Sequence, residues 1–220
     1  MTPLKITAHL KCGFTSAFDW SVSIDAIIAS QHYQQKFGFE QYVQEQSSGQ
    51  TCTHTDLPIA KEYFGDDWWY QCSRPLFKEI AIHNKHIHRR FNIQEAERHV
   101  NKVGKVETTK GAYKNARLLV PNRITQSVTW FVNGDKSAIE QLLNSVTHIG
   151  GRRGSGHGAV SRWEVVEHDS LDDCRLKRIL PIDFAQQNGV EGLVLEWGIR
   201  PDYKLKENKR LCVIPSNCHD

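Results

Sequence analysis

Apolar and polar positions alternate along residues 4 to 10, Leu-Lys-Ile-Thr-Ala-His-Leu, with the period of two that is typical of a half-buried strand. Ser21 or Ser23, either of which is a good N-cap, precedes a segment whose apolar residues recur at helical spacing up to about Phe37 and Gly38. The chain is therefore predicted to begin with a strand and a helix.

The same patterns predict two further strands, a second helix and a last strand. The aromatic run over residues 67–73 has high strand propensity, and residues 126–135 alternate between apolar and polar. Asp135 or Ser137 can cap the helix that follows. A glycine-rich loop separates that helix from a last strand over residues 159–166.

Strand, helix, strand, insertion, strand, helix, loop and strand is the β-α-β-β-α-β order of a ferredoxin-like, or RRM-like, domain. We therefore expect an α+β fold, with this domain over residues 1–166 and an arm or hairpin inserted at about 84–123. The C-terminal extension, 167–220, is expected to form a small second sheet. Within it, residues 193–199 are predicted to be a buried strand and residues 203–210 an exposed basic turn.

Composition narrows the class of protein. The 220 residues are 39% hydrophobic and 24% charged, and no stretch approaches the ~20 apolar residues of a membrane span. The N-terminus lacks the basic and apolar regions of a signal peptide, so we expect a cytoplasmic protein. Six scattered cysteines without a Cys-x-x-Cys pair indicate reduced thiols, and we expect neither a metal site nor a cofactor.

Charge is concentrated in the middle of the chain. Residues 84–123 hold ten Lys or Arg and three Glu, a balance of +7, although the whole protein carries only +3. Such asymmetry favours a polyanionic partner. A different class of function, a module whose basic arm binds an acidic protein, stays open at this point.

The loop at residues 150–158, Gly-Gly-Arg-Arg-Gly-Ser-Gly-His-Gly, holds five of the protein's 15 glycines. Glycine admits a positive φ and lets another backbone come close, so the loop is expected to turn tightly or to touch a ligand with its amides. Backbone N–H groups beside the guanidinium groups of Arg152 and Arg153 would form a phosphate-binding concavity. The spacing fits neither a P-loop nor a dinucleotide-binding fingerprint.

This loop, placed between a second helix and a final strand, resembles the glycine-rich loop of the RAMP superfamily of CRISPR-associated proteins. Together with the start at Pro3 to Leu10, the helix from Ser23 and the strand from Trp68 to Ser73, it is most similar to the small Cas-five-type subunits of type IV CRISPR complexes, called Csf-three. The resemblance spans most of residues 3 to 165.

The resemblance implies a subunit that caps a type IV effector ribonucleoprotein by holding the 5′ repeat-derived handle of the guide RNA. Guide pairing would then supply sequence specificity, while the protein reads the backbone and splayed bases. The implied partners are guide RNA and backbone subunits, with the large subunit and a helicase as further candidates and target DNA only indirectly. No membrane is involved.

The candidate RNA-binding residues come from two sources. The resemblance assigns the loop, and the charge of the arm adds its basic side chains. The loop residues are Gly151, Arg152, Arg153, Gly154, Ser155, Gly156, His157 and Gly158, and the arm residues are Lys85, Arg89, Arg90, Lys110, Lys114, Arg117 and Arg123. Base stacking is expected from Trp68, Trp69, Tyr70 or Tyr113, whereas Trp130, Phe131 and Trp197 are assigned to packing.

Related RAMP proteins include metal-independent endoribonucleases that process guides, which is the alternative function. Histidine suits such acid–base chemistry because its ordinary pKa lies near neutrality. Among 11 histidines, including the His83, His86 and His88 run, none forms an evident catalytic set. We therefore expect binding without catalysis, and name His157 as the catalytic candidate if cleavage occurs.

Overall fold

The computed structural model describes residues 1–42, 56–99, 106–111 and 113–216. The strands in these ranges are β1 (Thr2–Leu10), β2 (Phe14–Thr15), β3 (Lys61–Phe64), β4 (Asp67–Tyr70), β5 (Ala81–Arg89), β6 (Ala116–Ile124), β7 (Ser127–Gly134), β8 (Val160–Glu167), β9 (Leu180–Pro181), β10 (Gly192–Gly198) and β11 (Lys209–Pro215). The helices are α1 (Ile24–Phe37), α2 (Ile93–Glu97), α3 (Lys136–Leu143), α4 (Leu171–Leu176) and α5 (Ile182–Gln187). The fold is thus mixed α/β, as expected. Residues 44–56, whose Gln, Ser, Thr and Gly content predicts a surface loop, lie outside the described residues except for Asp56.

The central sheet has the order β7-β1-β8, with β1 antiparallel to both neighbours. Residues 71–76 extend it at the free edge of β7, where the amides of Ser73 and Leu76 donate to the carbonyls of Phe131 and Thr129 at 2.7 and 2.8 Å. The second strand predicted at 67–73 is wrong in its placement. Residues 67–70 pair with β3 in a separate hairpin, and the main sheet takes the residues that follow.

The first hydrophobic core lies between this sheet and helices α1 and α3. Alternation along β1 turns Leu4, Ile6 and Ala8 inward, with none of their surface exposed. Helix α1 has Ser23 as its N-cap and ends at Gly38, whose φ is +88°. The Asp135 carboxylate caps α3 by accepting from the amide of Ala138 at 3.1 Å. The outer face of the sheet, which carries Lys5 and Phe131, is left uncovered by these two helices.

The predicted arm is an antiparallel hairpin of β5 and β6 joined through a segment that contains α2. Its register pairs Ala81 with Ile124 at the base and Arg89 with Ala116 eight positions further out. Almost every side chain of β5 is exposed. A two-stranded ribbon with so little burial projects from the body because few apolar contacts hold it against the core. Lys102 and Lys105 of the arm lie outside the described residues.

The C-terminal residues form a second sheet of order β10-β11-β9 and a second hydrophobic cluster around Leu180, Phe184 and Val213. One prediction for this part was wrong. The strand at 193–199 is exposed over its first residues, Leu193 and Val194, because it is the edge of its sheet. The turn predicted at 203–210 is present and its lysines are exposed, but it is also anchored: the Tyr203 hydroxyl donates to the carboxylate of Asp25 at 2.6 Å, and Asn208 is buried.

Three contacts join the β3–β4 hairpin to the C-terminal residues. Trp69 of β4 is fully buried within the second cluster and packs edge-on against Phe184, with ring centroids 5.0 Å apart. Arg210 of β11 donates to both carboxylate oxygens of Asp67. The β3–β4 hairpin is therefore shared between the body of the protein and its C-terminal sheet. No helix in the described ranges is long and apolar enough to cross a membrane.

The third contact is a two-point hydrogen bond between Arg175 of α4 and Glu62 of β3, with nitrogen–oxygen distances of 2.7 and 3.0 Å. Hydrogen bonding from Arg175 holds the pKa of Glu62 below its ordinary value of 4.5, although burial opposes the shift. Because the pKa is lowered in the folded state, this stabilisation is present above pH 4.5 and is lost as the pH falls through the folded-state pKa.

We expect Arg175→Met to lower the free energy of unfolding at pH 7 by about 1 to 3 kcal/mol, because it leaves a half-buried carboxylate unpaired. The deficit should shrink as Glu62 is protonated, which denaturant titrations at pH 7 and pH 3.5 would measure. The control is Arg98→Met, whose ion pair with Glu95 is exposed on the arm and should contribute about 0.5 kcal/mol or less. Equal losses in the two variants would contradict the role of Glu62.

Candidate nucleic-acid interface

The glycine loop, residues 150–158, has a strongly constrained backbone. Gly150, Gly156 and Gly158 adopt positive φ angles of +76°, +81° and +72°, and Arg152 is left-handed at +58°. Between them lies a short 3-10 turn, Arg153–Ser155. Left-handed backbone costs an L-residue roughly 1–2 kcal/mol, so a loop with four such positions requires its glycines.

Both ends of the glycine loop are tied to the segment that contains β2. The Gly151 amide donates to the Thr15 carbonyl at 2.7 Å, and the Gly158 amide donates to the Gly13 carbonyl at 3.0 Å. A Cβ on Gly158 would lie 1.9 Å from the carbonyl oxygen of Ile149. The loop is thus clamped at its base, and residues 151–156 between the clamps are exposed.

The glycine loop offers both backbone and side-chain donors. The amides of Gly151, Ser155, Gly156 and Gly158 already donate to carbonyls of the chain, whereas the consecutive amides of Arg152, Arg153 and Gly154 have no acceptor within the described residues. Arg152 and Arg153 are exposed, and no carboxylate among the described residues lies within ion-pair distance of either. Two unpaired guanidinium groups on a fixed backbone can bind phosphate oxygens in the two-point geometry of arginine.

Strand β2 joins the glycine loop to the base of the arm. Thr15 bridges to Gly151 on one side and pairs with Asn122 of β6 on the other. The Nδ1 atom of His157 lies 3.2 Å from the side-chain oxygen of Asn122. A Cβ at Gly13 would collide with the Arg123 carbonyl, so a glycine there lets β6 approach this closely. The loop and the arm therefore meet in one place.

The arm presents two different faces. Since alternate residues of a strand point to opposite sides, His83, Lys85 and Arg89 share the face of Asn122, next to which His157 of the glycine loop lies. The opposite face carries His86, His88 and Arg117. The structure thus brings Lys85 and Arg89 to the same side as the glycine loop, and separates Arg117 from it.

The other predicted arm residues differ in whether their charge is already paired within the protein. Arg123 is largely buried and forms an ion pair with Glu79 at 2.5 Å, so its charge is neutralised within the protein. Arg89 donates twice to the Lys114 carbonyl, at 3.1 and 3.0 Å, which closes the outer part of the hairpin. Arg90, Lys110 and Lys114 are exposed at that outer end.

Of the four aromatic candidates for base stacking, Tyr113 has the most exposed ring. Trp69 and Tyr70 have no exposed surface. The ring of Trp68 has Lys61 Nζ at 4.7 Å and Arg200 Cζ at 4.8 Å from its centroid, so two side chains of the protein already occupy it. Tyr113 is 57% exposed on the arm. The linking residues Thr15 and Asn122 were not predicted, because a strand of two residues leaves no periodic pattern.

The chain has similarities to known proteins in both sequence and structure. The sequence model of the family described as "CRISPR type IV associated protein Csf3" matches residues 2–215. A crystal structure of a CRISPR protein from Archaeoglobus fulgidus aligns with all of this chain and 88% of its own, at 12% identity and a TM-score of 0.32. No curated protein matches the sequence.

We expect Gly158→Ala to destabilise the loop strongly, because the new Cβ would meet the Ile149 carbonyl and the backbone is left-handed. Thermal unfolding should show a melting temperature several degrees lower, or loss of folded protein. Gly154→Ala is the matched control, because nothing lies within 4 Å of a Cβ there and its φ is not positive. Similar melting temperatures for the two variants would contradict the clamped loop.

Proposed function

Because the chain belongs to the Csf3 family of CRISPR type IV associated proteins, we propose that it is the guide-RNA-binding subunit of a type IV effector ribonucleoprotein. In this proposal it caps the complex by holding the 5′ repeat-derived handle of the guide RNA. Its neighbours are the backbone subunits, with the large subunit and a helicase as further contacts, and the complex acts in the cytoplasm.

The observation that carries the proposal is the junction of two cationic elements. Arg152 and Arg153 lie exposed on a clamped backbone, and Lys85 lies on the arm face next to that loop, with Arg89 further out on the same face. Fixed positive groups on adjoining surfaces suit a ribose-phosphate chain, which carries one negative charge per nucleotide.

The topology supports a ferredoxin-like interpretation of the body. The order of 71–76, β7, β1 and β8 places the first strand in the middle of an antiparallel sheet, with α1 and α3 packed on one face. The inserted arm and the C-terminal 167–220 are additions to that unit. This arrangement leaves loops and the arm free to bind RNA at one end of the sheet.

We expect replacement of Arg152 and Arg153 by Ala to release RNA, because each removes an unpaired charge from the proposed phosphate contact. Binding of single-stranded repeat RNA by the purified chain, measured between 50 and 200 mM salt, should weaken, and the dependence of log affinity on log salt should fall by about 1 per arginine.

Lys36→Ala is the matched control. It removes one positive charge at the far end of α1, about 20 Å from the Ser23 end at 1.5 Å per residue. Its affinity and salt slope should equal those of the wild-type chain. If the arginine variants also keep the wild-type slope, or if binding is insensitive to salt, the phosphate contact at this loop is wrong.

We also propose that the protein binds RNA without cleaving it, with a guide-processing endoribonuclease as the alternative. His157 is half-buried, and its ring lies against Asn122, so it is held in place rather than freely mobile. Repeat RNA incubated with the purified chain without metal should stay intact. Defined cleavage that is lost in His157→Ala and retained in His99→Ala, a histidine whose side chain is 75% exposed on the arm, would establish the alternative.

A further inference from the structure

A second cavity, separate from the glycine loop, opens between the first helix region and the C-terminal sheet. Its volume is about 510 Å³, within the range of roughly 300–1,000 Å³ that is usual for small-molecule sites. Trp20 and Ser21 form one side, and Trp197 and Lys204 form the other. Neither tryptophan was predicted to have a functional role, and Trp197 was assigned to packing.

The two indoles make an aromatic corner. Their ring centroids are 6.4 Å apart and their planes are inclined at 76°. Phe18 stacks on one face of Trp20, at 4.9 Å and 9° between the planes. Within the described residues no ring stacks on the second face of Trp20. A planar ring that enters the cavity can therefore stack on one indole while its edge meets the other.

The charges around the cavity favour an anion. Four basic side chains and one acidic side chain line it, and the acid, Glu196, lies 3.5 Å from Lys209. Arg74 and Lys204 have no carboxylate within ion-pair distance in the described part of the chain. An aromatic corner bordered by unpaired cations fits a heteroaromatic base that carries a phosphate.

The cavity adjoins one that borders the glycine loop. Ser21 and Ser23 line it, and the same two residues line a neighbouring cavity of about 450 Å³ whose other side includes Gly151, Arg152 and Arg153. A strand whose phosphates lie on the two arginines therefore lies next to residues that also border the Trp20–Trp197 cavity.

We propose that the Trp20–Trp197 cavity receives one unpaired base of the RNA strand held at the glycine loop. The proposal rests on the proposed function, because it extends the path of the same strand. The loop then fixes the phosphates, and the cavity contributes affinity that depends on the presence of a base.

The experiment compares two probes on the full chain: a 12-nucleotide single-stranded RNA of mixed sequence, and the same ribose-phosphate strand with every base removed. Trp20→Leu should weaken binding of the RNA by about 5- to 150-fold, the range measured for loss of one stacked base. It should change binding of the abasic strand by less than about twofold, because the phosphate contacts remain.

The control variants separate stacking from folding and from phosphate binding. Trp20→Phe keeps an aromatic ring and should retain most of the discrimination between the two probes. If Trp20→Leu fails to fold, Trp197→Leu tests the same cavity and should also reduce the discrimination between the two probes. Replacement of Arg152 and Arg153 by Ala should weaken both probes by the same factor.

The outcomes distinguish the two proposals. If the wild-type chain binds RNA and the arginine variants weaken it, while the tryptophan variants keep full discrimination between the probes, the base cavity is wrong and the RNA-binding function stands. If the wild-type chain binds neither probe, both proposals are overturned.

Discussion

A buried guanidinium group holds the two hydrophobic clusters together. Arg178 is 4% exposed, and it donates to the carbonyl of Tyr70 in the first cluster and to those of Ile179 and Ile199 in the second. A buried charge is tolerated only when its donors are satisfied, so these three backbone segments must meet at one point. Asp25 of helix α1, also fully buried, accepts from the Tyr203 hydroxyl in the same region. The hydrogen bonds of Arg178 and Asp25 therefore join β4 and helix α1 to the C-terminal residues.

This junction has a consequence for the proposed RNA path. Ser23 and Tyr203, which hydrogen-bond to each other and to the buried Asp25, line the cavity that Trp20 and Trp197 also border. Burial, reinforced by the neighbouring carboxylate, raises the pKa of the Tyr203 hydroxyl well above its ordinary value, so this group stays a hydrogen-bond donor at any physiological pH. The same contacts that stabilise the fold therefore shape a cavity between the two halves, and Ser21 borders both this cavity and the one beside the glycine loop.

Much of the body could be predicted from local pattern, and the errors have identifiable causes. Strand β1 and helix α1 were predicted within two or three residues, because their periodicity and the Ser23 and Gly38 caps are local signals. The strand beside β7 was misplaced, because residues 67–70 have stronger strand propensity than residues 71–76, which are recruited by pairing alone. The exposure of β10 was missed for a similar reason. An apolar run does not reveal whether its strand lies at the centre or the edge of a sheet.

The sequence by itself determined the family, the concentration of charge between 84 and 123 and the need for glycine at 150–158, since these depend on residue types and their order. The tertiary structure decided which of these groups act together. Long-range pairing through Thr15 brought the loop to Asn122 of the arm, strand alternation set Lys85 and Arg117 on opposite faces, and an ion pair with Glu79 neutralised Arg123. Contacts between residues more than 100 positions apart depend on the packing of the whole chain, and no local pattern encodes them.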